Sequence, residues 1–466
     1  MNKNMAKLFA SILSVAVILS ACGKASTNGN NTADGTGSSP KATESGKAGE
    51  PVTIRMNLDQ NEISKEQIAE FEAANPNIKI QNEPSTITDQ TKLNAQLATG
   101  DAPDIIRVSA VSELSSYVIR GIAMDLTPFI QTSAVIKEDD LLPAANVFRY
   151  DGKVQGQGPL YGIPKDFSND LAIWYNKKLF AAASVPFPSE TVPMTYSQLF
   201  ELAKKLTLKK GDTIEQYGLS GSMKGEADLL YLMHYMLGKG VKLSSDDNGK
   251  IDFAKPEVKA ALQYWVDGVK GNYGPNLINQ DKTDWGGYLF ASDKLAMLQA
   301  GYFMLGFLNS DEKAKTHLDD YVMIPAPIAD GGQRVSPVGY AVGGIINKVT
   351  KHPKEAWKVY EWYFGGKPAE DRAKSGWGVP AFKHLLPMLP QATAFEKQKY
   401  AVLQDELKYS DKFIEMNPYL MNGNTLLQKQ LAPVYFGKAN LDSALAAMNN
   451  DANRIIQESK NASSGK

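Results

Sequence analysis

Side chains that could bind a metal ion or act as an acid or base are scattered along this sequence. Its four histidines lie far apart, and none has a neighbour of the metal-binding type: His234, His317, His352 and His384. The run Asp246-Asp247-Asn248-Gly249 is rich in oxygen ligands, but its acid spacing and glycine position do not match a calcium-binding loop. Asn-Gly suits a tight turn, so this run predicts a hairpin. We therefore expect neither a metal site nor a metal-dependent reaction.

Two glycine-containing motifs resemble enzyme signatures without matching them. The run Gly218-Leu219-Ser220-Gly221-Ser222 lacks the final glycine of a nucleophile elbow. The run GQGPLYG at residues 156–162 has its last glycine one place too late for a dinucleotide-binding fingerprint. The carboxylate pair of a glycoside hydrolase cannot be recognised in a sequence, so such a hydrolase stays open as an alternative. We expect a protein that is not an enzyme, with no catalytic residues and no cofactor.

The only cysteine, Cys22, has a different chemistry. It follows a basic start, an apolar run over residues 8–19 and two small residues. A run of about a dozen apolar residues is too short to span a bilayer, which takes about 20, but it suits a secretory signal. The string LSACG at residues 19–23 resembles the lipobox of bacterial lipoproteins, in which the cysteine receives a lipid. We expect residues 1–22 to be a lipoprotein signal peptide region, with lipidation at Cys22.

Residues 23–50 contain no Val, Ile, Leu, Met or aromatic residue. Such a segment cannot bury enough apolar surface to offset the entropy of ordering, so it predicts a disordered tether. Two acyl chains, such as palmitate, are enough for lasting membrane attachment. We expect a monomer, anchored by its lipid to the extracytoplasmic face of the cell membrane.

The remaining residues, 51–466, exceed the about 250–300 residues that one hydrophobic core usually serves, so two lobes are expected. The formal net charge is -1, which excludes the strongly basic surface typical of a nucleic-acid-binding protein. No second long apolar run follows Cys22, so we expect no membrane-spanning segment after it.

Strand-like and helical segments alternate from residue 51 onward. Residues 52–57, 78–80 and 105–108 are β-rich, and the stretches after the first two are helical, with Ser64 and Gln67 spaced as a capping box. This alternation favours βαβ units and a largely parallel sheet. Side chains at the ends of such strands converge on ligands. The loops after the first and third strands therefore offer four candidate ligand contacts: Asp59, Gln60, Asn61 and Ser109.

Five segments, in this order, resemble the extracellular solute-binding proteins of ABC importers, family 1, which include the maltose-binding protein. They are GDAPDII (100–106), YGIPKDFSNDLAIWYNKKLF (161–180), KLAMLQAGYFM (294–304), VGYAVGGIINKVTKHPKEAWKVYEW (338–362) and GWGVPAFK (376–383). The resemblance implies an α/β fold, a two-lobe periplasmic-binding-protein-like clamp with hinge-linked sheets flanked by helices. It implies chain crossings near residues 165–169, 324–327 and 376–380. Lobe 1 would comprise 51–165 and 327–375, and lobe 2 would comprise 166–326 and 376–466.

The resemblance also implies a function. The protein would bind a small solute, a sugar or oligosaccharide, in the cleft between the lobes and would deliver it to the transmembrane permease subunits of an ABC importer. Contacts from both lobes are required, because a ligand shifts an open–closed equilibrium only by its difference in affinity for the two states. A solute-sensing lipoprotein that reports to a membrane kinase would use the same clamp and stays open as an alternative.

Sugars present hydroxyl edges and apolar faces, so their sites combine carboxylates and amides with flat aromatic rings. Near the first crossing the resemblance offers the polar candidates Lys165, Asp166, Asn169 and Asp170. It offers five aromatic candidates: Trp285, Tyr302, Phe303, Tyr340 and Trp377. Four other aromatic residues are expected in the core: Trp174, Tyr175, Trp357 and Tyr360. The third-strand loop carries Val108-Ser109-Ala110 where the maltose-binding member has charged or aromatic residues, which argues against maltose itself.

Overall fold

Two five-stranded sheets organise the protein in a computed structural model. The structure describes residues 50–84, 90–109, 111–168, 171–221, 225–283, 285–420 and 422–463. The expected signal peptide, Cys22 and all but the last residue of the expected tether lie outside these ranges. Within them, no helix is both long enough and apolar enough to cross a membrane.

The described strands are, in chain order, β1 (Val52–Met56), β2 (Ile78–Asn82), β3 (Ile105–Val108), β4 (Arg149–Tyr150), β5 (Gln155–Leu160), β6 (Gly162–Ser168), β7 (Ile173–Asn176), β8 (Leu208–Lys210), β9 (Thr213–Gly221), β10 (Leu295–Gln299), β11 (Tyr321–Ile324) and β12 (Tyr340–Ile346). The first sheet has the order β2-β1-β3-β12-β6, and the second has the order β11-β7-β10-β9-β8. Strands β4 and β5 form a separate hairpin.

Strand directions in the first sheet bring several strand ends to one edge. Strand β1 runs parallel to β2 and β3, while β12 is antiparallel to both β3 and β6. Strands β1, β3 and β6 therefore point the same way, and the residues that follow them share an edge of the sheet. This arrangement confirms the largely parallel sheet that the alternation of segments predicted.

The described α-helices are α1 (Lys65–Ala74), α2 (Gln90–Thr99), α3 (Val111–Ile119), α4 (Thr127–Thr132), α5 (Lys177–Ala182), α6 (Tyr196–Leu206), α7 (Leu229–Lys239), α8 (Pro256–Gly271), α9 (Gly286–Ala291), α10 (Met304–Ser310), α11 (Pro353–Gly365), α12 (Lys367–Ser375), α13 (Ala394–Glu406), α14 (Gly423–Tyr435) and α15 (Leu441–Ser463). Short 3-10 turns occur between them, the longest at Pro143–Phe148 and Lys383–Met388.

Local sequence signals account for the first helix. Ser64 Oγ accepts a hydrogen bond from the Gln67 amide, and the Ser64 amide donates one to Gln67 Oε1, so the predicted capping box is present. Phe71 is buried on the inner face, and the helix ends at Asn75 before Pro76. The predicted hairpin around Asn248 is also confirmed, since Ser244 and Ile251 pair across it and Asn248 has a φ of 54°.

Alternate residues of the second sheet enter two hydrophobic cores. Trp174 packs in the core that also contains the first sheet, whereas its neighbour Tyr175 packs in the core formed with α6, α7 and α8. Both side chains are buried, as are Trp357 and Tyr360 on α11. The prediction that these four aromatic residues belong to the core is confirmed. Because both faces of the second sheet are covered, its ends and the adjoining loops are left for a ligand.

Candidate functional site

Four charged side chains meet at the shared edge of the first sheet, and we call them the ion cluster: Glu62, Arg107, Lys165 and Asp166. The Arg107 guanidinium donates from Nε to Glu62 Oε2 and from Nη2 to Glu62 Oε1, both at 2.8 Å. The Lys165 ammonium lies 3.6 Å from Glu62 Oε1 and donates to the Asp166 carboxylate. Glu62 therefore joins a loop after β1 to β3 and to β6.

Pairing keeps Glu62 and Lys165 charged in spite of their burial. Desolvation alone would raise the pKa of Glu62, but the hydrogen bonds from Arg107 and the charge of Lys165 hold that pKa below its ordinary value. Desolvation would likewise lower the pKa of Lys165, yet Asp166 and Glu62 raise it above its ordinary value. Both groups are thus ionised at neutral pH.

The ion cluster holds the two predicted ligand loops. The Asp59 amide donates to Glu62 Oε2 at 3.1 Å, and the Asn61 amide donates to Asp59 Oδ1 at 3.0 Å. Arg107 Nη1 donates to Ser109 Oγ at 2.5 Å. Gln60 and Asn61 are exposed, whereas Asp59 and Ser109 are half-buried. The structure therefore brings Asp59, Gln60, Asn61 and Ser109 to the same edge as Lys165 and Asp166.

Four aromatic rings form a second group, which we call the aromatic cluster: Trp285, Tyr288, Phe303 and Phe307. Trp285 precedes α9, and its ring centroid lies 4.4 Å from that of Phe307 on α10, 4.9 Å from that of Tyr288 and 6.5 Å from that of Phe303. A Cβ atom at Gly287 would lie 2.5 Å from the Trp285 ring, so glycine is needed for the ring to fold over the helix start. Tyr288 is 60% exposed, which leaves part of this cluster open to a ligand.

The segment Trp377-Gly378 lies between α10 and the ion cluster. A Cβ atom at Gly306 of α10 would lie 3.0 Å from the Trp377 ring, so this ring rests on the helix that carries Phe307. A Cβ atom at Gly378 would lie 2.6 Å from the Asp166 Cβ, so Gly378 lies against the ion cluster. Trp377 is 47% exposed. A ligand over Trp377 can therefore reach carboxylates on one side and rings on the other.

The other predicted contacts have different positions. The side chain of Tyr302 is fully buried, so its ring is not accessible to a ligand in this structure. Phe303 is half-buried beside Trp285. The Tyr340 backbone pairs with Ser168 at the end of β6, and its side chain lies outside the described part of the structure. Asn169 and Asp170 also lie outside the described residues.

Sequence reasoning missed several residues of the site. Arg107 gave a signal, because a charged residue inside the apolar strand IIRV needs a buried partner. Glu62 gave only a weak signal, because it lies in the same polar turn as Asp59. Tyr288 and Phe307 each lie within four residues of a predicted aromatic contact, but nothing marked them as part of one cluster. No sequence signal linked Gly306 to Trp377.

Comparison with known protein families gives a match over most of the chain. The family described as bacterial extracellular solute-binding protein matches residues 57–368. The match confirms the resemblance inferred from the five sequence segments. A comparison with curated proteins finds no significant match.

Solved structures share the fold at low sequence identity. An ABC substrate-binding protein from Listeria monocytogenes in complex with cycloalternan is 21% identical, with a TM-score of 0.70 over 87% of this chain and 98% of that chain. An ABC-transporter-associated binding protein from B. animalis subsp. lactis in complex with β-1,6-galactobiose is 19% identical, with a TM-score of 0.69 over 89% and 99%. The sugar-binding protein MalE from Xanthomonas citri is 16% identical, with a TM-score of 0.65 over 88% and 98%. These likenesses confirm the two-lobe α/β fold.

Proposed function

Because the chain belongs to the bacterial extracellular solute-binding proteins, we propose that it is the substrate-binding component of an ABC importer for a sugar or oligosaccharide. The family consists of binding proteins, and the structural relatives named above are binding proteins as well. The ligand would lie over Trp377, between the ion cluster and the aromatic cluster.

The observation that carries the sugar assignment is the position of Trp377-Gly378, which lies against Gly306 of the helix that carries Phe307 and against Asp166 of the ion cluster. Carboxylates and amides at Asp59, Gln60, Asn61 and Asp166 can bind hydroxyl groups, while exposed rings can cover the apolar face of a pyranose. Among the structural relatives, the proteins from Listeria monocytogenes and B. animalis were solved with saccharides, which supports the same ligand class here.

A thermal-shift screen across mono- and oligosaccharides tests this proposal. A ligand that binds only the folded state stabilises it by about 2.7 kcal/mol at a concentration one hundred times its dissociation constant. We expect at least one saccharide to raise the melting temperature in a concentration-dependent way. A rise with peptides or polyamines and with no saccharide would contradict the assignment.

We also propose that the ligand closes a hinge between two lobes, 51–165 with 327–375 and 166–326 with 376–466. Two of the proposed crossings lie side by side, since Phe167 and Val379 exchange backbone hydrogen bonds of 2.9 and 2.8 Å. The proposed crossing near 324–327 follows the end of β11 at Ile324. Small-angle X-ray scattering should give a smaller radius of gyration with the saccharide bound than without it.

The membrane anchor at Cys22 belongs to the same proposal. A lipobox-like string, an unpaired cysteine and a polar tether support a lipoprotein that works beside permease subunits at the extracytoplasmic face of the membrane. Cys22→Ser should release the protein from the membrane fraction and remove the lipid mass from its N-terminus. Deletion of the gene should abolish uptake of the saccharide found in the screen; unchanged uptake with a lost transcriptional response would favour the sensory alternative.

A further inference from the structure

We propose that Glu62 determines the charge selectivity of the site: by holding both cations of the ion cluster, it makes the site accept neutral saccharides and reject acidic ones. Acidic saccharides here are those with a uronate carboxylate or a phosphate. This inference rests on the proposed sugar-binding function and names the class of saccharide that the same site takes.

Both oxygens of the Glu62 carboxylate are engaged by protein donors. Oε2 accepts from Arg107 Nε at 2.8 Å and from the Asp59 amide at 3.1 Å. Oε1 accepts from Arg107 Nη2 at 2.8 Å and lies 3.6 Å from Lys165 Nζ. The side chains of Glu62 and Arg107 are only 11% and 7% exposed. A single carboxylate thus engages the two cations that an acidic ligand would otherwise meet.

These two cations also donate to other protein groups. Arg107 Nη1 donates to Ser109 Oγ at 2.5 Å, and the Lys165 ammonium donates to Asp166. A third cation nearby, Arg372, is held across the ring of Tyr363 at 4.6 Å and donates to the Tyr363 carbonyl at 3.0 Å. Arg107 and Lys165 are therefore each paired with a carboxylate, whereas Arg372 is held by the ring and carbonyl of Tyr363 and its buried Nε has no hydrogen-bond partner among the described residues.

Carboxylates outnumber cations at this edge of the sheet. Asp59 and Glu113 both act on Arg107, and Glu113 accepts from the Ser109 amide at 2.9 Å. Together with Glu62 and Asp166 they face Arg107, Lys165 and Arg372, which leaves a negative balance. An anionic group entering here is repelled by this net negative charge, whereas a hydroxyl group can donate to the carboxylates.

Glu62→Gln tests the proposal because it keeps the size of the side chain and removes its charge. Arg107 and Lys165 then lack one counter-charge, which an acidic ligand can supply. We expect affinity for a uronate-containing saccharide to rise about tenfold, the scale of one charge-assisted hydrogen bond, and affinity for its neutral counterpart to change less, because both oxygens of Glu62 are already held by protein donors. Isothermal titration calorimetry with both saccharides, of equal length and linkage, measures how the ratio of the two affinities changes between the wild type and the variant.

Asp293→Asn is the matched control. Asp293 also holds two cations, since Lys178 and Lys313 lie 3.0 and 3.2 Å from its carboxylate. Asp293 lies just before the start of β10. The other end of β10, at Gln299, lies beside Leu171. Asparagine tolerates the left-handed conformation at this position, where φ is 58°. This variant should keep the wild-type preference for the neutral saccharide.

Asp166→Asn provides a second test in case Glu62→Gln does not fold, because it removes the other carboxylate on Lys165 and should shift the preference in the same direction by a smaller factor. Equal binding of acidic and neutral saccharides by the wild type, or an unchanged preference in both variants, would overturn the selectivity proposal alone. A wild-type protein that binds no saccharide would instead overturn the proposed function, and the selectivity proposal with it.

Discussion

The ion cluster and the aromatic cluster, which we propose flank one ligand at Trp377-Gly378, differ in how far their groups are already paired and buried. In the ion cluster the charged groups already bind one another, and Arg107 and Glu62 are nearly inaccessible. In the aromatic cluster Tyr288 is 60% exposed, and Trp377, which packs on Gly306 of α10, is 47% exposed. The difference suggests a division of roles: the paired charges fix positions and select, while the open rings supply the apolar surface that a ligand covers.

Two buried lysines show what the pairing in the ion cluster achieves. Lys165 lies between two carboxylates, which keep its pKa above the ordinary value. Lys399 on α13 has no carboxylate in contact among the described residues; its ammonium donates to the Tyr321 carbonyl and lies 3.8 Å from the Phe395 ring centroid. Desolvation, with the charge of Lys177, lowers the pKa of Lys399 to about 7. Burial is similar in the two cases, and pairing decides the charge.

Lys399→Met should have the largest effect of all, on how the free energy of unfolding depends on pH. The folded state holds Lys399 at a pKa of about 7, whereas an unfolded lysine has a pKa near 10.4, so the unfolded state binds more protons between these values. Stability of the wild type should therefore rise by about 3 kcal/mol from pH 7 to pH 10 because of this group, and the variant should lack that rise. Urea unfolding of both proteins at the two pH values measures the difference. Parallel pH profiles would show that Lys399 is paired after all.

Trp377→Ala should have the largest effect on binding. Because the ring is 47% exposed, its loss should cost the fold little, but a ligand loses its central stacking surface. We expect a loss of about 2 kcal/mol, or about thirtyfold in affinity, at an unchanged melting temperature. Phe436→Ala is the control, since Phe436 is 50% exposed at the end of α14. A lowered melting temperature with unchanged affinity would mean that Trp377 is structural.

Gly306→Ala should weaken binding less, by about fivefold, or about 1 kcal/mol. The added methyl group would lie 3.0 Å from the Trp377 ring and must displace it. Alanine is favoured over glycine inside a helix by about 1 kcal/mol, so stability should not fall. In Gly268→Ala the new methyl group would meet Phe200 at 3.1 Å, away from the site, and affinity should stay the same. Equal saccharide affinities in the two variants would mean that Trp377 does not contact the ligand.

Tyr302→Phe should have the smallest effect. The Tyr302 hydroxyl is buried and has no hydrogen-bond partner among the described residues, and its ring is fully enclosed. Removing an unsatisfied hydroxyl should leave stability unchanged or raise it by up to about 1 kcal/mol, with no change in saccharide affinity. A clear loss of affinity in the titration would show that Tyr302 reaches the ligand, as its place in the sequence suggested.

Features that depend on neighbouring residues were predictable from the sequence, and features that depend on sheet register were not. The capping box of Ser64 and Gln67 spans four residues, so the start of α1 followed from the residue types. The Glu62–Arg107 pair joins residues 45 positions apart, and it forms because β1 and β3 align Met56 with Ile105. That register is set by packing of the whole sheet, which no local pattern encodes.

The same distinction applies to the candidate contacts. Polar residues after strands could be listed because the edge of a parallel sheet follows from strand direction. The full burial of Tyr302 and the partial burial of its neighbour Phe303 could not be predicted. Both residues lie in one apolar run, and the direction in which α10 starts at Phe303 decides which side chain is enclosed. The contact of Trp377 with Gly306 depends on how the chain returns to α10 after α12, and a single sequence holds no signal for it.

Hydrogen–deuterium exchange with and without the saccharide identified by thermal shift tests most directly whether the two clusters form one site. At saturation, amides in residues 59–62, 285–288 and 376–379 should exchange more slowly together, because one ligand contacts all three segments and closes the hinge. Protection confined to one of these segments, or located instead at the separate cavity of about 200 Å³ lined by Met233 and Phe413, would contradict a single site at Trp377-Gly378.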